Sequence, residues 1–245
     1  MSKCIGKEFM AQTRYRSLEP SDQVRELPQP PLVLPYNPSQ SIIDLPMPEE
    51  IPPIQVDLLE VIELRTSIRE YQKMPLSLLE LSFLLWCTQG VKEVLGNRAT
   101  KRTVPSAGAR HPFETYLLIN QVEGLKPGLY RFLPLEHKLI EVDTSDSIAE
   151  EVTYGCLQQQ FVKKSAVTFL WTAVAYRSTW RYGERAYRYI HLDAGHVCQN
   201  LYLAAQVIGC GVCAVAAFDD DYLNQVLNLD GEEQFVVYAG TVGKR

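Results

Sequence analysis

Long apolar runs, an excess of positive charge, a disulfide framework and the common nucleotide and hydrolase signatures are all missing from this chain. The longest apolar stretch, residues 202–218, is broken by Gln206, Gly209 and Gly211 and falls short of the roughly 20 residues a spanning helix needs. No membrane segment is expected, and the first residues lack the apolar core of an export signal. Lys and Arg number 24 against 29 Asp and Glu, a net charge of −5, which repels phosphate backbones and excludes general nucleic-acid binding. Six cysteines, Cys4, Cys87, Cys156, Cys198, Cys210 and Cys213, are scattered too widely for a disulfide scaffold, so a reducing cytoplasm is the expected location. No GxGxxG, no Ser-His-Asp order and no HExxH spacing is present, and no repeat recurs at 20 to 50 residues.

Proline is scarce only in part of the chain. Ten of the fifteen prolines fall in the first 56 residues and five in the remaining 189. Runs such as Pro28-Gln29-Pro30-Pro31 and Ile51-Pro52-Pro53-Ile54 fix φ and remove backbone donors, so neither a helix nor an inner strand can run through them. Residues 1–55 therefore read as an extended arm, suited to wrapping a partner subunit or to presenting an SH3-type ligand, and residues 56–245 as the compact domain.

Within that domain Asp57 caps a short helix, and Ser77 with Glu80 forms a capping box opening a helix over residues 78–88, closed by Gly90. Residues 115–122 read as a buried strand, 129–133 with 138–142 as a hairpin, 147–160 as a helix and 166–175 as an apolar strand. Small or apolar residues at Ala194, Val197, Cys198, Leu201, Ala204, Ala205 and Ile208 repeat at helical spacing, which predicts a long core helix over residues 193–208 ended by Gly209. A strand over 212–218, a helix opened by the acids at 219–221, and a last strand over 234–242 complete the pattern. Without strict βαβ alternation, the class is α+β, helices around a mostly antiparallel sheet.

Four segments have the chemistry of a binding site. Arg65-Thr66-Ser67-Ile68-Arg69 alternates two guanidinium forks with a hydroxyl, suited to an anion; a solvated loop with Glu70 as salt-bridge partner is the simpler alternative. Pro105, Ser106 and Ala107 lie in a small-residue loop that lets backbone approach a flat ring, or that merely turns tightly. Ala216 and Ala217 mark a strand-to-helix junction with free N–H groups. Lys244 and Arg245 bring two cations after the last strand, unless they form a frayed tail.

Set in this order and at these separations, the four segments resemble the FMN-dependent nitroreductase-like family over roughly residues 56–245. Tyr182-Gly183-Glu184-Arg185-Ala186-Tyr187-Arg188-Tyr189 followed by Leu192-Asp193-Ala194-Gly195-His196-Val197-Cys198-Gln199-Asn200-Leu201 is similar to the SagB-type branch, which contains azoline dehydrogenases of thiazole- and oxazole-forming peptide pathways. The resemblance implies an intertwined homodimer with two FMN sites at its interface. It assigns Arg65, Ser67, Arg69, Lys244 and Arg245 to the FMN phosphate, Pro105, Ser106 and Ala107 to a loop reaching the ring from the partner subunit, and Ala216 and Ala217 to the backbone facing flavin N5. It also implies two-electron hydride transfer by a ping-pong cycle, from NAD(P)H bound transiently over the flavin or from a small-molecule or peptide substrate. Where the branch carries a Lys-Tyr pair for substrate deprotonation, this chain has Arg181 and Tyr182. Arginine stays protonated and is a poor base, so Tyr182 is the expected proton donor or acceptor. A catalytically idle flavin-binding protein is the rival expectation.

Two further signals carry bland readings. Cys210-Gly211-Val212-Cys213 is a CxxC without a second ligand pair, so it reads as packing cysteines rather than a zinc or redox site. Residues 176–189 hold four arginines and four tyrosines plus Trp180, a mix that reads as a substrate lid rather than a nucleotide stack.

Overall fold

The computed structural model describes residues 4–245. In chain order the elements are α1 (Ile5–Gln12), β1 (Ile42–Asp44), α2 (Leu58–Leu64), α3 (Leu78–Gln89), β2 (Val91–Leu95), β3 (Ala99–Arg102), β4 (Phe113–Ile119), β5 (Gly128–Leu133) and β6 (Lys138–Asp143). They continue through α4 (Ile148–Gly155), α5 (Phe161–Lys164), β7 (Val167–Val174), α6 (Tyr176–Tyr182), α7 (Ala186–Val207), β8 (Cys210–Val215), α8 (Asp220–Val226) and β9 (Gln234–Lys244). Seven strands form one antiparallel sheet in the order β1-β6-β5-β4-β7-β9-β8, and β2 and β3 make a separate hairpin. The expected α+β class, a mostly antiparallel sheet surrounded by helices, is what the chain adopts.

Both faces of the sheet are covered, which is why β4 and most of β7 are buried at every position. Side chains alternate with a period of two, so Leu117, Phe169 and Trp171 enter one core with Leu81, Leu84 and Leu85 of α3 and Val197 and Leu201 of α7. Tyr116, Leu118 and Leu170 enter the other with Val152 of α4, Val162 of α5 and Leu223 of α8. Each fully buried aliphatic or aromatic side chain contributes about 1.5–3 kcal/mol of transfer free energy.

Local signals in the sequence are realised where they are chemical. Asp57 Oδ1 accepts from Leu59 N at 2.8 Å, and Ser77 and Glu80 form the capping box, with Ser77 N donating to Glu80 Oε2 at 2.9 Å. Asp219 Oδ1 caps α8 through Tyr222 N at 3.0 Å. The helix expected over 147–160 is instead two, because Leu157 and Gln158 adopt φ of +53° and +57°. The long helix α7 begins seven residues before the expected start, and β8 ends at Val215 rather than at 218. The helix α1, the short α6 and the polar β2-β3 hairpin have no counterpart in the expectations.

The proline-rich arm lies along its own chain. It adds β1 at the sheet edge beside β6, where proline's missing donors do no harm. Before that strand it crosses a buried charge cluster. Glu114 of β4 accepts from Arg177 Nη2 at 2.6 Å and from the arm's Leu34 N at 3.1 Å, with Arg131 Nη1 3.8 Å from its other oxygen. The same two arginines donate to arm carbonyls, Arg177 Nε to Pro31 O at 3.0 Å and Arg131 Nη2 to Pro35 O at 2.8 Å. All three charged side chains are nearly inaccessible, and Arg131 Nε and Arg177 Nη1 have no protein partner. Glu114→Ala therefore leaves two buried guanidinium groups uncompensated. It should cost about 3–5 kcal/mol, read as a lowered urea midpoint, whereas an unchanged midpoint would show that the cluster does not hold the arm.

Candidate active site

The segment after α2 leaves the helix at Arg65, runs along the outer edge of β8, and is tied there by Ile68 N donating to Val212 O at 2.8 Å. The approach is close because Gly211 carries no side chain: a Cβ there would lie 2.6 Å from Ile68 Cγ1. Tyr202, on α7, organises the result. Its hydroxyl accepts from Ala214 N at 2.9 Å and lies 2.9 Å from Ser67 Oγ, while the Arg65 guanidinium sits 5.2 Å from its ring centroid. Arg69 reaches the Phe161 ring at 5.9 Å. Among the described residues neither Arg65 nor Arg69 has a carboxylate partner, so the alternative of a salt bridge to Glu70 is not realised.

Ala216 and Ala217 follow β8 and are exposed. Neither alanine N–H has an acceptor among the described residues, while Ala217 O is held by Gln159 Nε2 at 2.8 Å. Lys244 is different, since its ammonium pairs with Glu80 of the capping box. Arg245 is exposed, its N–H reaching Gly209 O at 3.4 Å. The four segments thus gather around β8 as far as Arg65, Ser67, Arg69, Ala216 and Ala217 are concerned, with the cation of Lys244 already compensated.

Pro105, Ser106 and Ala107 form part of a second group. Ser106 Oγ donates to Asp193 Oδ2 at 2.6 Å and Ala107 N to Asp193 Oδ1 at 3.2 Å, so one buried carboxylate on α7 shapes the loop. Burial pushes that carboxyl above its ordinary range, and the two donors offset part of the shift. Gly108 has φ of +58°, and a Cβ there would lie 2.3 Å from Tyr182 Oη and 2.9 Å from Arg181 Nε. The loop and the Arg181–Tyr182 pair are therefore in direct contact. Arg181 stacks beside Tyr182, its guanidinium carbon 5.6 Å from the ring centroid. Asp193 and Tyr202, which anchor the two groups, are nine residues apart on one helix, or about 14 Å along its axis. Among the described residues no hydrogen bond links the two groups.

Sequence reasoning missed Tyr202, Asp193 and Gln159 as organisers. Asp193 lies within the stretch that resembles the SagB-type branch and Tyr202 lies beside the apolar stripe, but neither position marks the residue as an organiser. The CxxC cysteines are buried, with the Cys210 thiol pushed up to about 11 by burial, and among the described residues no metal-binding cluster exists. Among the described residues no helix is long and apolar enough to cross a membrane.

The antiparallel sheet, with an anion-suited segment on β8 and a small-residue loop beside a tyrosine, is that of an oxidoreductase scaffold, and the comparisons place it in a family. The sequence profile of the nitroreductase family matches residues 62–244, and the chain belongs to that family. It is 36% identical over 187 residues to the nitroreductase-family protein MJ1384 of Methanocaldococcus jannaschii, covering 76% of this chain and 89% of that protein. It is 31% identical over 134 residues to the trifolitoxin-processing protein TfxB of Rhizobium leguminosarum bv. trifolii, covering 53% of this chain and 36% of TfxB. Among solved structures, a nitroreductase-family protein of Ralstonia eutropha superposes with a TM-score of 0.68 at 26% identity, over 89% of this chain and 98% of that one. Both the family and the SagB-type branch expected from the sequence are borne out.

His111 closes the second group. Burial pushes its imidazole down to about 3, the Arg102 guanidinium adding to the effect. An unfolded histidine takes up its proton near pH 6.5 and this one near 3, so its contribution is intact above about pH 6.5 and is lost as pH falls toward 3. Urea midpoints at pH 7 and pH 5 should drop less for His111→Gln than for the wild type; equal drops would remove His111 from the acid sensitivity. Gly108→Ala should displace Tyr182 and lower activity more than stability, read as a fall in kcat that exceeds any change in Tm.

Proposed function

We propose that this chain is an FMN-dependent oxidoreductase acting as a homodimer in the cytoplasm, with each flavin site assembled from the β8 group of one subunit and the loop group of the other. The observation that carries this reading is the pair of guanidinium groups, Arg65 and Arg69, that lack acidic partners beside two backbone N–H groups that lack acceptors. A phosphate needs the first and the flavin ring nitrogen needs the second. The donor set therefore fits FMN. When bound, FMN supplies two-electron hydride chemistry, taken from a donor and passed to an acceptor in separate half-reactions.

The remaining work falls to this chain's residues. Arg65, Ser67 and Arg69 neutralise and orient the phosphate, with Arg245 adding charge and Lys244 balanced by Glu80. Ala216 and Ala217 offer N–H groups toward the ring. Asp193 holds Pro105, Ser106 and Ala107 in a loop narrow enough to lie against a ring presented by the partner subunit. Tyr182, held by Gly108 and flanked by Arg181, holds or moves a proton at its phenol oxygen. Physiological donors fall into two classes, NAD(P)H and an azoline peptide. The likeness to the trifolitoxin-processing protein TfxB favours a peptide substrate as the second reading, while Arg181 in the place of the branch's lysine leaves Tyr182 alone for any deprotonation.

Protein reconstituted with FMN should show a flavin absorbance band, and absence of the band would overturn the cofactor. Anaerobic titration with NADPH and with an azoline peptide identifies the donor by which of them bleaches the band. A protein that keeps its flavin yet is bleached by neither would be a binding protein. Arg65→Ala and Arg69→Ala should each weaken FMN retention about tenfold, the equivalent of one lost charge-assisted contact. Unchanged retention in both would remove the phosphate assignment.

A further inference from the structure

The arm crosses the second group before it reaches the charge cluster at Glu114, and it leaves a space there. A cavity of about 410 Å³ lies between the arm and the end of α6, with Tyr15, Leu18, Pro20 and Val24 on one side and Arg181 and Tyr182 on the other. That volume is in the range of small-molecule sites. The wall is pinned at both ends. Thr13 O and Oγ1 accept from Arg185 Nη1 at 2.9 Å and Arg188 Nε at 2.6 Å, which holds the end of α1 on α7. Beyond the cavity, Gln23 N donates to Trp180 O at 2.8 Å and Trp180 Nε1 to Leu27 O at 2.9 Å, while Tyr176 Oη donates to Asp22 Oδ2 at 3.0 Å.

Two large apolar side chains on this pinned wall remain in water, Tyr15 at 80% exposure and Val24 at 71%. The opposite wall is the phenol that touches Gly108 of the loop. Charge around the space is balanced, since Glu19 lines it as well as Arg181. A charged ligand would gain on one side what it lost on the other, whereas a flat uncharged group gains apolar contact from Tyr15, Leu18 and Val24 and a donor from Tyr182 or Arg181.

We propose that residues 15–24 of the arm form the specificity wall of a substrate subsite, which takes an uncharged aromatic or heteroaromatic group bearing a hydrogen-bond acceptor and presents it beside Tyr182. The location of the subsite next to the flavin rests on the function proposed above; the binding itself does not. It assigns the arm a role in substrate choice within its own subunit.

Menadione, an uncharged aryl quinone, serves as the probe, with binding followed by quenching of tryptophan emission and flavin content recorded separately by absorbance. Tyr15→Ala and Val24→Asp change exposed side chains and leave the core intact. Each should raise the Kd for menadione about tenfold while flavin content and Tm stay at wild-type values. The same Kd in both variants and the wild type, or no quenching of the wild type, would overturn the proposal. Wall-dependent menadione binding by a protein that retains no flavin would uphold the subsite and strike the cofactor reading alone.

Discussion

One buried helix face sets the positions of everything that bears chemistry. The apolar stripe of α7, from Ile190 through Val197 and Leu201 to Ala205, is pressed against the sheet, and this seating fixes where its polar residues emerge. Asp193 emerges where it can take two hydrogen bonds from the loop at Ser106 and Ala107. Tyr202 emerges where its hydroxyl meets Ser67 and Ala214 N. Arg185 and Arg188, about two turns and one and a half turns before Asp193, reach the end of α1. The spacing of the two site groups is therefore a property of helix geometry and cannot drift independently of the core.

Features with local causes were legible in the sequence. Caps at Asp57, Ser77 and Asp219 depend on neighbours two or three residues away, and the period of α7 reports its own buried face. The β2-β3 hairpin was not, because Lys92, Glu93, Lys101 and other exposed positions give a two-stranded ribbon no apolar alternation. Nor was the break after α4, since the left-handed conformations fall on Leu157 and Gln158, which carry no turn signal. In the site, the binding segments could be picked out, but their grouping could not. Ser67 meets Tyr202 across 135 positions and Ser106 meets Asp193 across 87, distances at which no spacing rule operates. The pairing of Lys244 with Glu80 had the same origin: a residue read as a cap proved also to be a counter-ion.

Proline excess argued for an extended arm, and the carbonyl oxygens that proline retains accept from Arg177 and Arg131 of its own chain. Loss of N–H donors makes such a segment a poor strand and a good strap, because every bond it accepts can be supplied by a guanidinium fork. The strap binds the most buried acid in the sheet to the surface above Tyr182, linking fold stability with the mouth of the site.

The sheet order has a consequence for synthesis. Strand β8 pairs with β9 alone, although β8 leaves the ribosome earlier and β7 earlier still. Until the final strand is made, β8 has no ladder to join, and the segment at Ser67 and Ile68 has no edge on which to rest. The part of the site on β8 thus takes its shape only after β9 has been translated, while the strap, the charge cluster and the loop on Asp193 already have every partner in the chain made before it.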